Sequence, residues 1–335
     1  MYTYVVRSLL GVALASTLLT STLAAADSIT LYSGRGEALV QPLISEFTAQ
    51  TGIRVNVRYG GTAELAVLLQ EEGDRSPADL YWAQDAGALG ATAKAGLFVD
   101  LPADLYTDLP EIYTSDTGTW LATSGRARVL AYSTLRASAD EVPASIADLT
   151  DERYQGRVGW APTNGSFQAH VTAMRIAQGE EFTRDWLAAM RDNNAQVFRN
   201  NTALVQGIAN GEIDFALTNN YYLLRFLAND PDFPVAQQFF ADGDIGNVVN
   251  VAGIGILASS REQESALTFV RFLLGDFAQQ YFTDNVYEYP VIAGLTPNPE
   301  LESFERLLEI SPTINLDALE DLQGTLALLR EVNLL

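Results

Sequence analysis

The residues best suited to chemistry stand together at Asn219-Asn220-Tyr221-Tyr222. The apolar run 213–218 before them reads as a buried strand and the stretch 223–227 after them as a helix, so two phenols fall at a strand-to-helix turn. At such a turn both side chains and the free backbone N–H groups can face a cleft beyond the carboxyl end of the strand. A hard trivalent cation prefers oxygen ligands, and coordination removes a phenolic proton despite its ordinary pKa of about 10. Paired tyrosines therefore suit a ferric ion. Composition alone favours the plainer alternative, aromatic packing at a helix start.

Two other places suit anions. Pro162-Thr163-Asn164-Gly165-Ser166 opens a predicted helix with a hydroxyl and backbone N–H groups aimed outward, and Asn201 stands just before a helix predicted over 203–210. Taken alone, each reads better as an ordinary Asn or Ser cap with no ligand. Gly34-Arg35-Gly36 invites a dinucleotide reading, but the third glycine of GxGxxG would fall on Leu39. The loop is better read as an anion-tolerant turn at a helix amino terminus. His170 lies about one turn into the helix after Ser166 and reads as a surface or packing side chain, because no second histidine and no GxSxG elbow accompany it. Glu71-Glu72 and Glu180-Glu181 sit among polar residues at helix ends and read as solvated faces.

Composition narrows the partners. The 335 residues carry 20 Lys+Arg against 42 Asp+Glu, a net charge of -22, which argues against nucleic acid and anionic membranes. The lack of cysteine excludes disulfides, thiolate zinc sites, iron–sulfur clusters and cysteine nucleophiles, and a single histidine excludes multi-histidine metal sites. Arg7, the apolar stretch 9–23 and Ala24-Ala25-Ala26 predict a cleaved secretory signal over 1–26. About 15 apolar residues are too few for the roughly 20 that span a bilayer. The remaining length suits about two domains.

Hydrophobic periodicity supplies the elements that must position these residues. A strand at 29–32, a helix with Leu39, Val40, Leu43, Ile44 and Phe47 on one face, and a half-buried strand over 53–59 come first. A helix at 62–72, a strand at 78–83 and a helix after Asp85 repeat the unit, predicting a mainly parallel sheet with ligands beyond its strand ends. Those ends carry Ser33-Gly34-Arg35, Tyr59-Gly60-Gly61-Thr62 and Ala83-Gln84-Asp85. A buried strand over 127–134 leaves this half and the run 248–258 returns to it, with a second α/β unit between them. Two such connections predict two lobes and a hinge.

Taken in order, Leu31 to Glu37, Ser76-Pro77-Ala78-Asp79, Ala83 to Gly87, Thr123 to Leu130, Ala161 to Phe167, Asn210 to Asp214, Asn219 to Tyr222 and Glu288-Tyr289-Pro290-Val291 resemble the periplasmic ferric-ion-binding proteins. These are the substrate-binding components of ABC-type iron importers, and the similarity runs over essentially the whole mature chain. The resemblance implies an α/β, two-lobed periplasmic-binding-protein fold of type II, hinged on two crossover strands. The amino-terminal lobe is expected over 27–127 and 252–302, the carboxy-terminal lobe over 128–251 and 303–335. The cargo implied is Fe(III) in the interlobe cleft, with a synergistic anion such as carbonate, phosphate or citrate. A periplasmic monomer serving an inner-membrane permease, without enzymatic activity, is the expected context.

Carried over by position, Tyr221 and Tyr222 look like the iron-binding phenolates. Asn164, Gly165, Ser166, Asn201 and Asn219 look like the cradle of the anion, and Arg128 and Arg126 match arginines that face the cleft in some relatives. Arg35 falls where some members have histidine, Gln84 where they have glutamate, and Phe167 where others have a further tyrosine. Since a guanidinium cannot ligate a metal, Arg35 is expected to grip the anion and Gln84 to hydrogen-bond to it. Tyr59 is a candidate third phenolate. The rivals are a receptor for a small phosphonate or carboxylate without metal, and an enzyme on the same fold using Tyr221 or His170 as acid/base.

Overall fold

The computed structural model describes residues 28–107 and 109–335, so the expected secretory signal lies outside the described residues. The first half follows the predicted alternation: β1 (Ser28–Ser33), α1 (Glu37–Thr51), β2 (Arg54–Tyr59), α2 (Thr62–Glu72), β3 (Leu80–Ala83) and α3 (Ala86–Lys94). Leu39, Val40, Leu43, Ile44 and Phe47 are the buried face of α1, which ends where Gly52 turns left-handed at φ 75°. β2 alternates exposed and half-buried residues because it forms one edge of the sheet. Asp85 Oδ1 caps α3 by accepting the Ala88 N–H at 2.9 Å, a contact typically worth about 1 kcal/mol.

The chain then crosses on β4 (Trp120–Ser133). The carboxy-terminal unit comprises β5 (Val158–Trp160), α4 (Gly165–Gln178), α5 (Glu180–Asp192), β6 (Gln196–Val197), α6 (Asn201–Asn210), β7 (Phe215–Asn219), α7 (Asn220–Leu227) and β8 (Val235–Gln238). β9 (Val249–Ile256) returns, followed by α8 (Gln263–Leu273), α9 (Asp276–Tyr281), α10 (Phe304–Ile310) and α11 (Leu322–Glu331).

The strand order is β2-β1-β3-β9-β4-β7-β5-β6, with β8 also on β4. The expectation of a mainly parallel sheet is corrected. β1 runs parallel to β2 and β3, and β5 to β6 and β7, but β9 is antiparallel to β3 and β4, and β4 to β7 and β8. The two crossover strands run against their neighbours, so the sheet is mixed at its centre. β4 also begins seven residues before its predicted start at 127, because Thr123, Ser124 and Arg126 interrupt the apolar run and yet are buried. The two hydroxyls are satisfied across the fold: Trp82 Nε1 donates to Thr123 Oγ1 at 2.9 Å and Ser124 Oγ to Glu288 at 2.6 Å. At Ala127 and Arg128 β4 changes partner from β9 to β7.

The last segment touches both halves. The short 3₁₀ turn Leu316–Glu320 lies against α3, where Lys94 Nζ meets Glu320 at 2.6 Å. The next residue, Asp321, pairs with Arg175 of α4 at 2.8 Å. The segment expected to belong wholly to the carboxy-terminal lobe is therefore also a strap on the amino-terminal one.

Candidate metal centre

β7 ends at Asn219 and α7 starts at Asn220, so Tyr221 and Tyr222 occupy the first turn of that helix. Their rings stack at 4.2 Å between centroids, 29° apart, and both side chains are buried. Gln84, at the end of β3 in the other half, donates from one Nε2 to both phenols, at 2.7 Å to Tyr221 and 3.2 Å to Tyr222. One amide nitrogen thus spans two converging oxygens. Burial, then the neighbouring Tyr222 and Glu288, hold the Tyr221 phenol well above its ordinary pKa, against the opposing pull of Arg35 and Arg126.

The halves are closed on each other at this point. A Cβ at Gly165 would sit 2.6 Å from Asp85 Oδ2 and 2.9 Å from Thr62 Cβ, so only glycine admits this approach of α4 to the loops after β2 and β3. Asp85 Oδ2 is buried without a partner. Desolvation raises the Asp85 carboxyl to about 6, against its cap to Ala88 and the charge of Arg126.

Arginines stand behind the phenols. Arg126 and Arg128, two residues apart on β4, point to the same face. The β4–β7 register sets Arg128 opposite Asn219, and its Nη1 donates to Asn219 Oδ1 at 3.0 Å. Asn219 Nδ2 donates to Ser166 Oγ at 3.2 Å, and Arg126 Nη2 reaches the same hydroxyl at 3.4 Å. Nε and Nη1 of Arg126, and Nε and Nη2 of Arg128, are buried with no acceptor. Burial depresses both guanidinium groups, Arg128 to about 9. The result is a concentration of buried positive charge and unused N–H donors.

The structure gives Arg35 a partner other than the expected anion. Its fork is taken by Glu288, at 2.9 Å from Nη1 and 2.7 Å from Nη2, with both side chains fully buried. Burial works against the Arg35 charge, but the Glu288 carboxylate outweighs it and raises the guanidinium pKa. Tyr59 likewise lies apart from the phenol pair in its bonding: its hydroxyl donates to Gln41 at 3.0 Å. Gln84 bonds the tyrosines themselves rather than a separate group.

The remaining candidates fall as follows. Asn164 is the cap of α4, its Oδ1 accepting from Ser166 N at 3.1 Å, with Gly165 and Ser166 opening the helix. The cap of α6 is Asn200, accepting from Ala203 N at 2.9 Å. Asn201 is the first helical residue, fully buried with neither Oδ1 nor Nδ2 partnered. Phe167 packs edge-on to Trp160 in the core at 5.7 Å. His170 is buried, its Nε2 on the Ile245 carbonyl at 2.8 Å, and burial followed by Arg128 pushes it down to about 3. It is a neutral packing histidine. Among the described residues no group of three or more His, Cys, Asp or Glu side chains could hold a metal ion.

A family model described as bacterial extracellular solute-binding protein matches residues 42–305. The chain belongs to that family. A similar solute-binding protein is the Fe(3+)-binding periplasmic protein of Serratia marcescens, 32% identical over 282 residues covering 83% of each chain. The solved structure of iron-bound HitA from Pseudomonas aeruginosa matches with a TM-score of 0.87 at 32% identity, over 92% of this chain and 99% of that one. A Trichodesmium protein (IdiA, FutA) in complex with iron and citrate matches with a TM-score of 0.74 at 26% identity, over 92% and 100%. The two-lobed solute-binding fold expected from the sequence is thereby borne out.

Two residues of this solute-binding site carried no assigned role in the sequence. Glu288 follows a π-helical turn, Phe282–Val286, and Tyr287 at φ 63°, a conformation rare for an aromatic residue. Its signal was a lone acid before Tyr289-Pro290 in an otherwise apolar stretch. Asp85 stood only within the strand-end loop Ala83-Gln84-Asp85, without a role of its own, and its second oxygen lies against Gly165 at the interlobe contact.

Proposed function

We propose that this chain is a periplasmic Fe(III)-binding protein that closes two lobes on iron plus a synergistic anion and presents the closed form to an ABC permease. It performs no covalent chemistry. The lobes are 27–127 with 252–302 and 128–251 with 303–335, the last segment serving also as a strap. The observation that carries this reading is the single Gln84 Nε2 bridging both phenol oxygens across the lobes. A donor hydrogen-bonded to two oxygens marks where a cation shared by two phenolates would sit. The names of similar solute-binding proteins, which specify ferric iron, support it.

Charge supports an anion as well. Fe(III) with two phenolates retains one positive charge, Arg126 and Arg128 add two, Asp85 removes one and the Arg35–Glu288 pair is neutral. About two positive charges are left in a low-dielectric site, a balance that favours a mono- or dianion. Asn164, Gly165, Ser166, Asn201, Asn219 and Arg128 are its proposed cradle. The amino-terminal lobe reaches this site through Gln84, and a ligand bonded from both lobes stabilises only the conformation that joins them.

A receptor for a small anion without metal is the second reading, favoured by the unpartnered nitrogens of Arg126 and Arg128. A visible absorption titration of metal-free protein with Fe(III), run with carbonate, phosphate and citrate, separates the two. The expected result is a phenolate-to-iron band saturating at about one iron per chain, weakened in Tyr221→Phe and in Tyr222→Phe and lost when both are replaced. No band with any anion would transfer the assignment to the metal-free receptor.

A further inference from the structure

Near its end the chain holds both lobes through successive residues. The 3₁₀ turn Leu316–Glu320 lies on α3 with Leu316 and Leu319 buried. Gly87 and Gly90, three apart on one face of that helix, allow the approach. A Cβ at Gly87 would sit 2.7 Å from the Leu319 carbonyl oxygen, and one at Gly90 3.0 Å from Glu320 Cβ. Glycine inside a helix is less favourable than alanine, so the seating of the turn gives both positions their reason. Lys94, at the end of α3, adds an exposed ion pair to Glu320 at 2.6 Å.

The opposite attachment begins at the next residue. Asp321 caps α11, accepting the Gly324 N–H at 3.0 Å, and α11 is tied to α4 and α5. Arg175 of α4 donates to the Asp321 carboxylate at 2.8 Å, to its carbonyl at 3.2 Å and to Thr325 Oγ1 at 3.0 Å. Thr172 and Thr325 share a buried hydrogen bond at 2.7 Å. From α5, Arg184 reaches Glu331 at 2.8 Å and Arg191 the Val332 carbonyl at 2.9 Å. α3 is the helix that follows Gln84 and Asp85, and α4 is the helix opened by Gly165 and Ser166. The strap therefore ties together the two helices whose starts meet beside the phenols.

We propose that the turn Leu316–Glu320 is a latch on the closed form: it leaves α3 when the lobes part, while α11 stays on α4 and α5. Adjacent Cα atoms lie only about 3.8 Å apart, so Glu320 and Asp321 cannot span a widening gap between the helices. One attachment must give way. The attachment to α4 and α5 has three arginines and a buried hydroxyl pair. The attachment to α3 has apolar packing on two glycines and one ion pair whose side chains are 64% and 39% exposed, and such a pair contributes little. The attachment to α3 is the weaker and parts first. Its contacts exist only while the lobes are together, so they favour closure and slow the release of whatever occupies the cleft. This rests on the two-lobe closure proposed above and not on the identity of the cargo.

The chain contains no cysteine, so Gly90→Cys/Glu320→Cys supplies one unambiguous pair. A Cβ at position 90 lies 3.0 Å from that of Glu320 and needs to relax by about half an ångström to suit a disulfide. Oxidised and reduced forms of this one protein are compared, and Gly90→Val, which drives a branched side chain into the turn, is the opposite perturbation. Small-angle scattering of the iron-free protein should give a smaller radius of gyration for the oxidised form than for the reduced one. Iron release to excess chelator, followed by the phenolate-to-iron band, should slow at least about fivefold on oxidation and quicken at least about fivefold in Gly90→Val relative to wild type. Equal radii and equal release rates in the oxidised and reduced forms, or wild-type release in Gly90→Val, would mean that the turn rides on α3 throughout, and would overturn the latch. If no iron band forms in wild type the iron reading fails on its own, and the scattering comparison decides the latch by the same criterion.

Discussion

Tyr221→Phe tests the metal reading through proton accounting rather than through loss of binding alone. The phenol is fully buried, and its pKa stands well above 10. At pH 7 its ionisation is therefore uphill by more than about three pKa units, or at least about 4 kcal/mol. Coordination to iron must supply that energy and expel the proton. A proton held in the free protein and absent from the complex makes affinity rise with pH, tenfold per unit for each proton released. Tyr221→Phe should release one proton fewer per iron in a pH-stat titration. Its plot of log affinity against pH, measured by chelator competition between about pH 6 and 8, should be shallower by one unit per pH unit. Equal proton counts and equal slopes in the two proteins would mean that Tyr221 keeps its proton and is not a ligand.

Three further outcomes follow from the geometry. Glu288→Gln leaves Arg35 buried and unpaired and should lower stability by about 3–5 kcal/mol; the joint replacement Arg35→Met/Glu288→Leu should recover most of this in denaturant unfolding. Gly165→Ala places a methyl against Asp85 Oδ2 and Thr62 in the closed form, an overpacking of about 1–3 kcal/mol. Iron release, timed by stopped-flow, should quicken about 5- to 150-fold while the melting temperature of the metal-free protein holds. The Asp85 carboxyl is raised to about 6 in the fold from an ordinary 3.8. The folded state therefore binds a proton more tightly than the unfolded chain, and wild-type stability should fall by about 2 kcal/mol as pH rises from 4.5 to 7.5. Asp85→Asn, which keeps a capping oxygen for Ala88, should lack that decline in unfolding curves taken at pH 4.5 and 7.5.

Much of the scaffold was legible because its signals are local. The buried face of α1, its left-handed glycine stop, the helix at Thr62–Glu72 and the turn that presents Tyr221 and Tyr222 all follow from spacings of a few residues. β4 was only half legible. Its buried polar residues break the apolar pattern, and their hydrogen bonds are supplied by Trp82 and Glu288, which no local window contains. The cap of α6 shifted by one residue, to Asn200, because two adjacent asparagines offer the same capping chemistry.

By itself the sequence determined the order of elements, the two crossover strands, the paired phenols and the exclusion of cysteine and multi-histidine metal chemistry. The tertiary structure alone decided what faces those phenols. Gln84 meets Tyr221 across 137 positions and Arg35 meets Glu288 across 253, which turns an expected anion grip into a neutral internal pair. Periodicity records which face of an element is buried. The partners of a buried charge are fixed only when the lobes close and desolvation makes each unpaired group costly.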